Sequence, residues 1–324
     1  MLSSTMNVNA RAVVLEKPEH IQVNAVTLAE PGESDVIVQV DYSGISTGTE
    51  KLLYTGRMPT FPGMGYPLVP GYESVGRVVH AGSDSGFAGG ETVYVPGARC
   101  FGEIKGLFGG SASKLVVPGE KVVPISDTLG EQGILLALAA TAYHAVSGGG
   151  LREKIVPPDL IVGHGVLGRL LARMTVLGGH PAPTVWETNP RRMGGADGYP
   201  VVDPKDDDRR NYRAIYDVSG DASLLDALVM RLAPGGEIVL AGFYTTPLSF
   251  MFAPAFMREA TIRCAAEWKK PDLLAVRWLM ETGHLSLDGL ITHRSEATRA
   301  SGAYPIAFDD ADCLKMVLDW RHCA

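Results

Sequence analysis

Gly163-His164-Gly165-Val166-Leu167-Gly168 is the segment whose residue types and spacing most directly imply chemistry. This G-x-G-x-x-G run lies between the apolar stretch 160–162 and a second apolar stretch, the context of a strand-to-helix turn. Glycines there let backbone approach a pyrophosphate, and the helix N-terminus offers N–H groups and a positive dipole end to its charge. Nineteen residues beyond Gly168, Glu187 closes the next apolar run, where a carboxylate accepts hydrogen bonds from the adenosine ribose hydroxyls and repels a 2′-phosphate. NAD is therefore expected over NADP. Arg191 and Arg192 follow closely and offer the opposite reading, charge for a 2′-phosphate, or else they cover the adenine face or stand in solvent. Ser219, Gly220 and Gly242 end later strands at the carboxyl edge and are expected nicotinamide-side contacts, with ordinary strand-end turns as the alternative. His144, on an apolar helical stretch, is a candidate general base; the competing reading is a satisfied core or surface histidine. At His164 the backbone is expected to matter more than the imidazole.

The elements that must position these residues fall into two textures. Over 12–123 the chain reads as short β segments, including 12–15, 36–42, 76–80 and 92–95, punctuated by Gly and Pro, which predicts a compact β-barrel or sandwich. Ile134, Leu135, Leu138, Ala139, Ala142 and Tyr143 recur at helical spacing, predicting a long helix over 131–147 and a linker at Gly148, Gly149 and Gly150. From about Pro157 to about Trp268 strands and helices alternate: strands at 160–162, 185–186, 214–217 and 237–241, helices from about 167 and 224. That alternation predicts a Rossmann-type doubly wound parallel sheet. The tail from about 288 returns to short pieces, 290–292 and 315–320, that can rejoin the first part.

Composition narrows the partners. With 324 residues, 46% of them hydrophobic, the chain is long enough for two cores. Lys plus Arg number 29 against 36 for Asp plus Glu, and the net charge of −7 repels phosphate backbones, so no nucleic acid is expected. There is no apolar run of the roughly 18 residues a membrane span needs and no basic-then-apolar leader, so a cytoplasmic protein without a transmembrane segment is expected. Cys100, Cys264, Cys313 and Cys323 form no CxxC pair, which fits a reducing compartment.

Gly71-Tyr72-Glu73-Ser74-Val75-Gly76-Arg77-Val78 is similar to the GHExxGxV motif of the medium-chain dehydrogenases, the fold of zinc alcohol dehydrogenase. With the β-rich first part, the glycine fingerprint and the segment 290–294, the whole chain resembles that family. The runs 44–51, 61–71, 161–171, 185–190 and 253–257 resemble a single branch of it, apart from the first ten or so residues. The resemblance implies an α/β protein: a β-rich GroES-like catalytic domain over 1–150 and 288–324, plus a Rossmann NAD-binding domain over 151–287. It also implies oxidation of an alcohol on a small-molecule substrate, with a homodimer as the assembly it allows.

Zinc members of the family ligate metal through a Cys in a GxCGTD segment, the His of GHE, and a Cys or acid ahead of the long helix's end. Those places here read Ser46 or Thr47, Tyr72 and about Ala137, and a hydroxyl, a phenol and a methyl do not make a zinc set. The structural zinc lobe needs four clustered cysteines, and only Cys100 falls in that region, so no metal is expected. Glu73 reads as a buried hydrogen-bonding residue.

Alcohol oxidation still releases a hydride to nicotinamide and a proton to an acceptor. The resemblance puts Ser46, Thr47, Thr49, Tyr72 and Glu50 around the reacting carbon, so the proton relay is expected among them; hydrogen bonding within a tight loop is the alternative. Leu52, Leu53, Tyr54, Met58, Phe61, Met64, Tyr66 and Leu68 read as a loop able to cover a flat hydrophobic ring, or else as filling of the first core, and Phe101, Phe108, Phe243 and Tyr244 are expected to complete that wall. Two other functions use the same fold without metal: an NAD(P)H quinone or enone reductase, against which Glu187 argues, and a dinucleotide-binding protein without turnover.

Overall fold

The computed structural model describes residues 8–60, 62–147, 155–265 and 267–323. They form two compact units, Met1–Ala137 with Leu290–Ala324, and Leu138–Gly289. The linker expected at 148–150 lies outside the described residues.

In the first unit, apolar residues alternate or run together as sheet faces demand. β1 (Val8–Lys17) and β2 (His20–Leu28) form an antiparallel pair. β3 (Asp35–Ile45) precedes the short helix α1 (Thr49–Tyr54), the two-residue β4 (Leu68–Val69) and β5 (Ser74–Ala81). β6 (Thr92–Val95), β7 (Lys105–Gly106), β8 (Lys114–Pro118) and β9 (Val123–Pro124) follow. β3 pairs antiparallel with β5 over 36–43 and with β8 over 35–39, and consecutive buried residues at 36–38 and 43–45 show that both of its faces are covered there. Gly76 explains the glycine of its motif: a Cβ there would stand 2.1 Å from the Gln39 carbonyl oxygen across the β3–β5 pairing.

The helix expected over 131–147 is two pieces, a 3-10 segment at Asp127–Leu135 and α2 (Leu136–Ser147), with Gly130 at positive φ inside the first. β10 (Leu160–Val162), α3 (Val166–Leu177), β11 (Thr184–Trp186), β12 (Val201–Val202) and β13 (Tyr212–Asp217) then alternate as predicted, with β12 a strand the pattern did not reveal. α4 (Leu225–Val229), β14 (Leu232–Leu240), α5 (Phe252–Met257), β15 (Thr261–Cys264) and α6 (Lys270–Glu281) complete the second unit. Its six strands are all parallel in the order β12-β11-β10-β13-β14-β15. Build-up of the sheet reverses between β10 and β13, and that topological switch point is where such sheets take a dinucleotide.

The tail returns to the first unit through β16 (His293–Glu296), α7 (Ala300–Asp309) and β17 (Met316–Asp319). The piece expected at 290–292 is not a strand; β16 starts just beyond it, while β17 pairs antiparallel with the end of β3.

The reading of 52–68 as a covering loop is corrected. Leu53, Met58 and Leu68 are buried in the first core, with Leu52, Tyr54, Met64 and Tyr66 packed against it, and the Tyr66 hydroxyl donates to the Leu53 carbonyl. A small β unit has little apolar chain, so these side chains are used up inside it. Phe61 lies outside the described residues. Phe101 also belongs to that core, whereas Phe108 packs edge-on to Tyr72 with centroids 5.5 Å apart. Among the described residues no helix is long and apolar enough to cross a membrane.

Candidate functional site

The phosphate loop is shaped by its glycines. Gly163 has φ +108°, a conformation that side chains avoid, and a Cβ on Gly168 would lie 1.9 Å from the Gly163 carbonyl oxygen, so helix and turn close only on glycine. At Gly165, the N-cap of α3, nothing stands within 4 Å of a Cβ. That open space above a helix N-terminus is what a pyrophosphate requires, so the residues fit a dinucleotide. Val166 is buried and Leu167 half-buried at the first turn.

Side chains pin this loop to the segment after β11. His164 is fully buried; its Nδ1 lies 2.7 Å from the Arg192 carbonyl oxygen and its Nε2 3.0 Å from the Tyr199 hydroxyl. A carbonyl only accepts, so Nδ1 carries the proton and Nε2 accepts from Tyr199. Burial brings the imidazole pKa down to about 4, against the stabilising Arg192 carbonyl, so the ring is neutral. The imidazole therefore matters as well as the backbone, which motif spacing could not reveal. Arg169, also buried, donates to the carbonyls of His164, Arg192, Gly194 and Gly195. Glu187 Oε1 accepts from the N–H groups of Thr188 and Asn189, both at 2.8 Å, and Oε2 from that of His164 at 3.2 Å. The carboxylate is thus fixed beside the phosphate loop, with Oε2 the freer oxygen. Arg191 follows in a short 3-10 turn, its N–H received by Asn189.

At the other side of the switch point, Ser219 donates N–H and hydroxyl to Asp217, and a Cβ on Gly242 would stand 2.9 Å from the Gly220 nitrogen. Mutual packing already requires glycine at 242. His144 sits on α2 with Nδ1 2.8 Å from Asp272 Oδ2, which also accepts the Lys269 N–H at the start of α6. This buried pair engages the imidazole as a link between two helices.

In the first unit the turn after β3 and the strand entry to β5 gather Ser46, Thr49, Glu50, Tyr72 and Glu73. Ser46 Oγ and Tyr72 Oη are 2.7 Å apart, and the Thr49 side chain also hydrogen-bonds the phenol. Burial holds the Tyr72 phenol above its ordinary range, the neighbouring Glu73 carboxylate adding to this while the two hydroxyl bonds oppose it. Glu50 is buried, accepting from the Ser46 N–H at 3.1 Å and the Tyr304 hydroxyl at 2.8 Å. Burial raises its pKa from 4.5 to about 7, with those two bonds pulling the other way. Thr47 is half-buried and lies outside this chain of bonds. Ala137 is fully buried and presents only a methyl. Ser46, Tyr72 and Ala137 do not fit zinc, and among the described residues no three His, Cys, Asp or Glu side chains gather as metal ligands.

Two residues that motif reading missed complete this cluster. Lys315, just before β17, is 2% exposed and donates to Glu73 at 2.7 and 2.9 Å and to the Ile45 carbonyl. Tyr304 on α7 reaches Glu50. The one available signal was a lysine set among apolar residues at 314–318, a position that demands a buried acid.

Residues 32–127 match the family model of the alcohol dehydrogenase GroES-like domain. The chain is 56% identical over 318 residues to the 2-desacetyl-2-hydroxyethyl bacteriochlorophyllide A dehydrogenase of Cereibacter sphaeroides, covering 97% of this chain and 99% of that one. It is 56% identical over 312 residues to the protein of that name from Rhodobacter capsulatus, covering 96% and 98%. The crystal structure of L-idonate 5-dehydrogenase from Escherichia coli superposes with a TM-score of 0.84 at 19% identity, over 98% of this chain and 100% of that one, a likeness of fold.

Two outcomes test this geometry. Gly165→Val keeps an allowed backbone and meets no protein atom, so it is expected to fold normally yet lose NAD affinity by at least roughly tenfold in a fluorescence titration; normal binding would show that the phosphates lie elsewhere. Glu50 binds its proton more tightly when folded, so its contribution is fully present below pH 4.5 and is lost as pH rises to about 7. Urea unfolding should show wild type losing about 3 kcal/mol more than Glu50→Gln across that window. Parallel pH profiles would place Glu50 in a wetter environment than its burial indicates.

Proposed function

The chain belongs to the 2-desacetyl-2-hydroxyethyl bacteriochlorophyllide A dehydrogenase family of medium-chain dehydrogenases, and from that premise we propose that it oxidises the ring hydroxyethyl group of a bacteriochlorophyllide to acetyl with NAD, in bacteriochlorophyll synthesis. The observation that carries this reading is the 56% identity over 97% of the chain. The substrate is then a small molecule, a magnesium bacteriochlorin pigment. NAD, when bound, accepts the hydride; Gly163, Gly165 and Gly168 leave room for its pyrophosphate, and Glu187 supports NAD over NADP at the ribose.

The carbinol carbon loses a hydride and its hydroxyl loses a proton, so a C=O bond replaces C–H and O–H and the pigment gives up two electrons. We assign the proton to the Ser46, Tyr72 and Thr49 hydroxyls. Tyr72 stays protonated, because burial disfavours the phenolate; it accepts the substrate proton while donating its own to Thr49, and the half-buried Thr49 hydroxyl releases its own proton to water. Glu50 holds the turn through the Ser46 N–H. A carbinol on a conjugated macrocycle stabilises the positive charge that develops as hydride leaves, which reduces the need for a Lewis acid.

The homodimer is part of this proposal. It is supported by the outer edge of β15, the last strand of its sheet, beside exposed Phe252, Phe256 and Met257 on α5. Light scattering should give twice the chain mass; a monomer would remove this part.

The purified chain, NAD and hydroxyethyl bacteriochlorophyllide should yield NADH and acetyl pigment in equal amounts, with chelator present. Quinone reduction alone, or cofactor binding without turnover, would favour the other two readings of the fold. Ser46→Ala and Thr49→Val should lower turnover by roughly 10²- to 10⁴-fold with NAD affinity unchanged. Wild-type rates in both would move the relay elsewhere.

A further inference from the structure

Asp217 is a buried carboxylate to which the proposed reaction gives no task. It ends β13, lies opposite Val162 of β10 in the pairing, and is 2% exposed. Val162 leads directly into Gly163, so the carboxylate stands at the switch point itself. Its Oδ1 accepts from the Ser219 N–H at 2.9 Å and the Ser219 hydroxyl at 2.6 Å, and its Oδ2 accepts from the Tyr244 phenol at 2.7 Å. Each of these donors is neutral. Burial, with Asp217 beside it, holds the Tyr244 phenol above its ordinary range, as expected for a phenol facing an anion. A turn at 217–219 needs only an acceptor, which Asn would supply without the cost of burying a charge among neutral donors.

The charge has a direction. Glu187 follows β11 on one side of the switch point and marks the adenosine half, whereas Asp217, with Ser219, Gly220 and Gly242, lies on the β13–β14 side, toward the nicotinamide. The nicotinamide ring is cationic in NAD and neutral in NADH. We propose that Asp217 sets the redox-state preference of the cofactor site: its fixed negative charge favours the cationic ring of NAD and leaves the neutral ring of NADH unassisted, so that the reduced cofactor departs after hydride transfer. This rests on the reading of the second unit as an NAD site.

Equilibrium titration of the full chain with NAD and with NADH tests it without turnover. Asp217→Asn preserves the contacts, since the amide oxygen still accepts from Ser219 and the amide nitrogen donates to the Tyr244 oxygen, and only the charge is lost. The ratio of the NAD dissociation constant to that of NADH should rise by roughly 3- to 30-fold, the range for one unit charge acting through a partly screened interior. An unchanged ratio, or equal weakening of both cofactors, overturns the inference while leaving the NAD reading intact; a wild type that binds neither cofactor overturns that reading. Where Asp217→Asn fails to fold, Tyr244→Phe carries the test. Removing the phenol leaves the carboxylate less neutralised, so the ratio should fall by about twofold or more; no fall, or a rise, overturns the inference.

Discussion

A glutamate carboxylate and a lysine ammonium, both removed from water, meet at 2.7 Å in the first unit, and the arrangement of that unit's polar cluster depends on this contact. Taking two charges out of water is expensive, and removing one partner from such a pair typically costs about 3 to 5 kcal/mol because the other is left buried and alone. Lys315 comes from the tail, Glu73 from the entry to β5, and the Ile45 carbonyl, also held by Lys315, from the end of β3. One ammonium therefore ties together three chain segments far apart in sequence. Ser46 follows Ile45 and Tyr72 precedes Glu73, so the two hydroxyls that meet at 2.7 Å are each one residue away in the chain from a partner of Lys315. Even Gly44 follows from the ion pair: a Cβ there would lie 2.2 Å from Glu73 Oε2.

The second unit solves a similar problem with one charge and several carbonyls. A phosphate loop must be open on the ligand side and rigid on the other. Arg169 supplies the rigidity by donating to carbonyls at 164, 192, 194 and 195, and neutral His164 adds two more bonds. Planar guanidinium, with five donors in a fixed fork, suits this better than an ammonium. The cofactor loop and the segment that follows Glu187 are held as one piece by the chain's own hydrogen bonds.

Together these networks indicate how the fold hosts alcohol oxidation without a ligand set that suits zinc. The polar centre is built from hydroxyls, carboxyls and one ammonium, and these satisfy one another: Lys315 bonds Glu73, and Glu50 accepts from a backbone N–H and a phenol. A buried carboxyl with a pKa of about 7 and a phenol pushed higher are the marks of such a low-dielectric polar cluster.

The sequence alone determined whatever is local in chain or periodic in pattern. The G-x-G-x-x-G turn, Glu187 after the second strand, the parallel alternation and the return of the tail were legible because glycine geometry and apolar spacing act over a few residues. The short strands β4, β7, β9 and β12 were not, because two-residue pairings carry no period to read. The side chains at 52–68 misled for a related reason: an apolar run states that it will be buried, and only packing decides against what. In the polar cluster the residue types were visible, but not their partners. Whether Ser46 or Thr47 faces Tyr72, that Lys315 neutralises Glu73, and that His144 is engaged by Asp272 are facts of contact between residues from 26 to 242 positions apart. Hydrogen bonds and ion pairs of that kind form only once the chain has folded, so tertiary structure alone could decide them.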